Sequence, residues 1–159
     1  MTAERKSGDY EEDVSGNVEK YHSYREAWKR IDEAIEEGFY LEAVTIEESV
    51  ICDRLISHLV GLGVRNRQSD LRDYGSFGRL LGSWRQNGSH PIEQRGFEDL
   101  QDAVDNWREK RNYVVHRIVK SHPGDATDPI SDFLKRAKQT AEEGKELARA
   151  VDNWHKRVK

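Results

Sequence analysis

The sequence predicts an all-α protein, an up-and-down bundle of four long helices and one short helix. Its 159 residues include only three prolines, Pro91, Pro123 and Pro129, and helix-forming residues dominate between them. Apolar residues recur at spacings of three and four, and no run alternates apolar and polar residues as a half-buried strand would. A chain of this length can bury a core as a single domain.

The helix boundaries follow from apolar stripes and from the turn-forming residues that interrupt them. We expect helices at about 17–37, 39–61, 75–86 and 94–120, and a last helix from about residue 128 to the C-terminus. Gly38 ends the first, GLG at 61–63 ends the second, and SHPGDATDP ends the fourth. Residues 1–16 are polar and mixed in charge, which predicts a disordered tail before a single helical domain at 17–159.

Composition argues against several classes of protein. The net charge of -4 disfavours a scaffold that coats nucleic acid through overall positive charge, although it permits a local basic patch. Mean hydropathy is -0.93, no apolar run could span a membrane, and the first residues lack the apolar region of a secretory signal. Cys52 is the single cysteine, and the histidine spacings match no zinc pattern. We therefore expect a cytoplasmic protein with no membrane partner, metal or cofactor.

Two charged residues interrupt apolar stripes. Arg111 falls within the stripe of the 94–120 helix, which is formed by Leu100, Val104, Trp107, Val114 and Ile118. Burying an unpaired guanidinium is costly, so Arg111 should be paired or should face a cleft. Glu47 occupies the equivalent position in the stripe of the 39–61 helix. We expect Glu47 and Arg111 to meet, and a purely structural ion pair that fixes helix register remains an open interpretation.

A polar stripe beside Arg111 indicates chemistry. Arg108, Asn112 and His116 are spaced four apart, and Lys110, Tyr113 and Arg117 are close by. An imidazole can transfer a proton near neutral pH, a guanidinium can bind a phosphate, and an amide can orient either. These groups suffice to cleave RNA without a metal, with Arg108, Lys110, Tyr113 and Arg117 contacting the RNA. Because Arg111 and His116 lie about 140° apart around one helix, two copies across a two-fold axis would be needed to build one cleft.

The run RNYVVH, from Arg111 to His116, within an all-helical layout resembles the HEPN family (higher eukaryote and prokaryote nucleotide-binding domain). The family signature is an arginine, often followed by a polar residue such as asparagine, and a histidine after four to six residues; Arg111, Asn112 and His116 match it. The segment FYLEAVTIEESVICDRLISHL resembles the long early helix of these proteins, with Glu47 where an acid often occurs. The resemblance covers roughly residues 38–155.

The resemblance implies a homodimeric, metal-independent endoribonuclease whose products carry a 2′,3′-cyclic phosphate. Arg111, Asn112 and His116 would be the catalytic residues, contributed by both subunits, and Glu47 would support Arg111. Many such proteins are toxins or act in defence against phage, beside an antitoxin or a nucleotidyltransferase. Other members keep the bundle without catalysis. A non-catalytic helical module for protein interaction or RNA binding is therefore the alternative function.

Overall fold

The structure, a computed structural model, describes residues 8–64, 76–117, 124 and 129–158, with side chains from residue 18 onward. Its helices are α1 (Gly8–Glu37), α2 (Tyr40–Gly61), α3 (Phe77–Asn87), α4 (Leu100–His116) and α5 (Ile130–Val158). The described ranges contain no strand, only an isolated bridge between Gln94 and Phe97. The prediction of an all-α helical bundle is confirmed. No helix in these ranges is long and apolar enough to cross a membrane.

Side-chain caps set two helix starts. The Asp99 carboxylate accepts hydrogen bonds from the backbone N–H of Gln101 (3.2 Å) and of Ile92 (3.1 Å), so α4 begins at Leu100 and not near 94 as predicted. Ser76 caps α3 in the same way, by accepting from the N–H of Arg79. Asp99 therefore also holds the preceding loop against the start of α4.

The remaining boundaries are close to the predicted ones, with two exceptions: α4 ends at His116 and not near residue 120, and α1 starts earlier than predicted. The helix α1 begins at Gly8, inside the segment predicted as a tail, and residues 1–7 lie outside the described residues. Also outside the described residues are 65–75, 118–123 and 125–128. These ranges include most of the predicted loops after α2 and α4, together with Ile118 of the apolar stripe.

Helix α2 is the centre of the described bundle, because every other helix packs on it, and α5 runs parallel to it. Tyr40 at the start of α2 packs beside Phe133 near the start of α5, and Arg54 pairs with Asp152 at 2.8 Å further along both helices. Helix α1 lies antiparallel on this pair and is held by the Arg149 guanidinium, 3.7 Å from the centre of the Trp28 ring. The core around these helices contains Val44, Ile51 and Leu55 of α2, and Leu100 and Val104 of α4.

Helix α4 packs antiparallel to α5 on the other side. The Trp107 indole Nε1 donates to the Thr140 carbonyl at 2.9 Å, and Val114 packs with Phe133. The short α3 covers α4, with the Phe77 ring edge-on to Trp107 at 6.3 Å between centroids. Trp107 is fully buried and contacts both neighbours of α4, so it fixes where α4 lies.

The closest approach inside the bundle occurs at Gly144 of α5. A Cβ atom placed there would lie 2.2 Å from Glu47 Oε1 and 2.6 Å from Trp107 Cζ2. Both neighbouring side chains are fully buried, so neither has free space into which it can move. Glycine at this position is what allows α2 and α4 to approach α5 with these side chains between them.

The substitution Gly144→Ala is expected to destabilise the protein by about 1–3 kcal/mol, because the added methyl group overpacks a filled core. Chemical denaturation followed by circular dichroism measures this change. Gly82→Ala is the matched control, since Gly82 also lies inside a helix but a Cβ there meets nothing within 4 Å. That control should gain about 0.5–1 kcal/mol from helix propensity. Equal effects at the two positions would contradict the packing described here.

Candidate functional site

Arg111 is held in place by two polar neighbours. Its Nε and Nη2 face the two carboxylate oxygens of Glu48, with Nη2 donating to Oε2 at 3.1 Å. Its Nη1 donates to the Asn112 Oδ1 at 2.8 Å. The side chains of Arg111 and Glu48 are 24% and 21% exposed, so the pair is partly screened by solvent. The guanidinium keeps further N–H donors at its free end, and these can still bind an anion.

These residues line an open cleft between α2, α3 and α4. The cleft has a volume of about 600 Å³, and Arg108, Arg111, Asn112, Glu48 and Cys52 contribute to its walls, together with the first residues of α3. Two arginines face one glutamate there, and the N-terminus of α3 adds partial positive charge. Arg111 therefore faces a cleft, which is one of the two arrangements that the sequence predicts for it. The cleft favours an anionic group.

Arg108 and Cys52 have distinct places in this cleft. The Arg108 Nε contacts Asp105 Oδ1 at 3.2 Å, and its Nη1 lies 3.5 Å from where a Cβ of Gly78 would be, so the guanidinium crosses the start of α3. Burial, together with the nearby Glu48 carboxylate, raises the pKa of the Cys52 thiol to about 12. The thiol therefore stays protonated and is a poor nucleophile.

The expected contact between Glu47 and Arg111 is wrong. Glu47 is fully buried, neither of its carboxylate oxygens has a hydrogen-bond partner, and it packs against Gly144 and Trp107. Adjacent residues of a helix point about 100° apart, so when Glu47 faces the core it is Glu48 that reaches Arg111. Burial raises the Glu47 pKa to about 9, with Lys145 acting weakly against the shift. Glu47 is consequently a neutral core residue at pH 7.

His116 lies apart from Arg111. It is the last residue of α4, its side chain is exposed, and it is not among the residues described as lining the arginine cleft. It lies on the exposed edge of α4, about 40° around the helix from Asn112. The fold thus brings Arg111 and Asn112 together and leaves His116 one turn from Asn112 but outside the arginine cleft, consistent with the 140° between Arg111 and His116.

The predicted RNA-contacting residues divide between two sides of α4. Arg108 lines the arginine cleft, whereas Lys110 and Tyr113 line a second groove between α4 and α5. Lys110 pairs with Glu143 of α5 at 2.9 Å. The exposed Arg117, which follows the last turn of α4, places its guanidinium 5.5 Å from the centre of the Tyr113 ring. The predicted basic surface is therefore two separate surfaces.

Sequence reasoning missed Glu48, Cys52 and the start of α3 as parts of the site. Glu48 lies next to the stripe residue Glu47, and its spacing of four from Cys52 could have placed both on one face. The contribution of α3 had no comparable signal, because it depends on how the helices pack.

Comparison with protein-family models, with curated proteins and with solved structures finds no significant match to this chain. The described part of the chain also brings together no group of three or more His, Cys, Asp or Glu side chains that could hold a metal ion. The interpretation of the site therefore depends on its own residues.

Glu47→Gln is expected to be increasingly stabilising, relative to the wild type, as pH rises. The folded wild type keeps a proton on Glu47 up to about pH 9, whereas the unfolded chain loses it above its ordinary pKa of 4.5. Protonation of Glu47 contributes fully to the free energy of unfolding below pH 4.5. This contribution is lost as the pH rises towards 9, by up to about 1.4 kcal/mol per pH unit. Urea denaturation across this range measures the slope. Glu42→Gln, at an exposed position of α2, is the control, and parallel slopes for wild type and Glu47→Gln would refute the buried state.

A double-mutant cycle should couple Arg111 to Glu48 and not to Glu47. Alanine substitutions at 48 and 111 should show a coupling free energy of about 1–2 kcal/mol, between the values for exposed and buried ion pairs. The cycle between 47 and 111 should stay within about 0.5 kcal/mol of zero, as expected for residues without contact. Urea denaturation of the single and double variants gives both values. The opposite ranking would restore the Glu47–Arg111 contact.

Proposed function

We propose that this protein is a metal-independent endoribonuclease of the HEPN type, active as a homodimer in the cytoplasm and serving as a toxin or in defence against phage. The observation that carries the proposal is the placement of Arg111 in an open cleft, where Asn112 and Glu48 orient its guanidinium and leave N–H donors at its free end. A purely structural arginine would have no need to face an accessible cleft. An antitoxin or a nucleotidyltransferase is the expected partner.

In this proposal Arg111 binds the scissile phosphate and stabilises the charge that develops on the phosphorane. His116 takes the proton from the ribose 2′-hydroxyl, the 2′-oxygen attacks phosphorus, and the bond to the 5′-oxygen breaks. An imidazolium returns a proton to that 5′-oxygen. The products are a 2′,3′-cyclic phosphate and a 5′-hydroxyl, and Asn112 orients the arginine throughout. The neutral, buried Glu47 supports this site only by packing beneath α4.

The homodimer follows from the separation of the two groups. His116 lies on the exposed edge of α4, outside the arginine cleft of its own subunit. A second α4 packed across a two-fold axis would bring the His116 of one copy towards the Arg111 of the other. Static light scattering should therefore find a dimer at micromolar concentration. A strictly monomeric protein would leave the composite site without a basis.

His116→Ala should abolish cleavage of a mixed RNA pool, in the presence of EDTA, while the fold is retained. The loss of a general acid/base is expected to lower the rate by about 100- to 10,000-fold. His22→Ala is the matched control, because His22 is also an exposed helical histidine, in the middle of α1 and away from both grooves. Gel electrophoresis of labelled RNA gives the rates. Cleavage at the wild-type rate by His116→Ala, or cleavage only with added metal, would reject the mechanism.

A non-catalytic helical module is the second candidate, and the Arg111–Glu48 pair favours it. A carboxylate that already occupies Nε and Nη2 competes with a phosphate for the same guanidinium. In that case Arg111 would join α4 to α2, and the protein would bind RNA or a protein without cleaving it. Binding of RNA by wild type with no cleavage, in the assay above, would favour this alternative.

A further inference from the structure

A second groove, of about 620 Å³, lies between α4 and α5, on the far side of the exposed edge of α4 from the arginine cleft. Its volume falls in the range of small-ligand sites. Tyr113 forms one wall, and Arg136 and Gln139 of α5 form the other. The α5 residues carried no functional assignment from the sequence, so the groove is a feature that only the packing of α4 on α5 creates.

The base of this groove is fixed by hydrogen bonds. Thr140 is 4% exposed; its hydroxyl donates to the Arg136 carbonyl at 2.8 Å, and its own carbonyl accepts from the Trp107 indole at 2.9 Å. Trp107 is itself fully buried, so the spacing between α4 and α5 at this point is set by the core. The floor of the groove is therefore set by the core, whereas Arg136 and Gln139 in its wall are exposed side chains.

The Tyr113 ring gives the groove an aromatic wall with cations close to it. The guanidinium carbons of Arg136 and Arg117 lie 4.7 Å and 5.5 Å from the ring centroid. Planar groups stack on such a wall, since both the tyrosine ring and a guanidinium plane offer flat surfaces of low conformational entropy. A flat ligand would therefore stack on the Tyr113 ring by displacing the Arg136 guanidinium.

The charges of the groove exclude a phosphate as its main ligand. Lys110 and Arg136 are matched by Glu109 and Glu143, and Lys110 already pairs with Glu143 at 2.9 Å. Carboxylates and the Gln139 amide can instead exchange hydrogen bonds with the polar edge of a neutral ring. A nucleobase has both the flat face and that edge.

We propose that the α4–α5 groove is a base-binding subsite for single-stranded RNA, with Tyr113 as the stacking surface and Arg136 and Gln139 as its walls. The strand crosses the exposed edge of α4, so that a phosphate lies in the arginine cleft and a base further along the strand lies in the groove. Asn112 and His116 are on that edge, and around the helix His116 lies between Asn112 and Tyr113. This inference depends on the proposed function for the identity of the strand.

The test is the affinity for a short fluorescent 2′-O-methyl oligoribonucleotide, which cannot be cleaved because it lacks the attacking hydroxyl. Tyr113→Leu should weaken its binding roughly 5- to 150-fold, the range for the loss of one base–aromatic stack. Tyr113→Phe should bind within about two-fold of wild type, because the stacking ring remains. Fluorescence anisotropy gives the dissociation constants, and circular dichroism checks the fold of each variant.

The control is Tyr21→Leu, since Tyr21 is also a tyrosine with an arginine beside its ring, Arg25 at 5.7 Å, but it lies exposed on α1. It should leave affinity unchanged. Wild-type affinity in Tyr113→Leu would overturn the subsite. The subsite would also be overturned by a groove variant that no longer binds free adenosine monophosphate but still binds the oligonucleotide normally. The groove would then bind a free nucleotide and not a base of the strand.

A second measurement uses the unsubstituted protein and does not depend on any variant folding. Oligonucleotides with 5-iodouridine at one position at a time should crosslink to Tyr113 from one position, as mapped by mass spectrometry of the peptides. Crosslinks confined to other helices would overturn the subsite. The two proposals fail separately. Normal binding by Tyr113→Leu together with cleavage that requires His116 rejects the subsite alone. Weaker binding by Tyr113→Leu in a protein that never cleaves RNA rejects the nuclease alone.

Discussion

The position of α4 depends on a single close approach, where Glu47 of α2 and Trp107 of α4 meet at Gly144 of α5. Both side chains are fully buried, and the indole reaches the Thr140 carbonyl one helical turn earlier in α5. This contact helps to set the position of the α4 side chains that face solvent. A small change in the distance between α4 and α5 would alter both the arginine cleft on one side and the α4–α5 groove on the other.

Two consecutive glutamates on α2 have opposite roles because of their positions around the helix. Glu47 faces the core, where desolvation keeps it protonated and no hydrogen-bond partner offsets its burial. Glu48 faces the cleft, where it remains near solvent and orients the guanidinium of Arg111. The acid that the apolar stripe singles out is therefore structural, and the acid beside it is the one that belongs to the candidate site.

Apolar periodicity was sufficient to predict the all-α class and most helix boundaries, because burial of one face determines where such helices form. It also predicted that Arg111 would be paired or in a cleft, since either arrangement avoids an isolated buried charge. The partner could not be predicted. Glu47 and Glu48 are adjacent, and only the rotation of α2, fixed by its packing on Gly144, decides between them. The start of α4 was missed because Asp99 caps it within a stretch that is otherwise compatible with helix.

The parallel arrangement of α2 and α5 has a consequence for the synthesis of the chain. These two helices form the most extensive contact in the bundle, and the Arg54–Asp152 pair within it joins residues 98 positions apart. Closing so long a loop slows folding, and α5 leaves the ribosome after the other four described helices. Until α5 is made, α2 lacks its most extensive packing partner, and α4 has no Thr140 to bind. A nascent chain therefore exposes hydrophobic surface until α5 has been synthesised, and its α4–α5 groove forms only after that point.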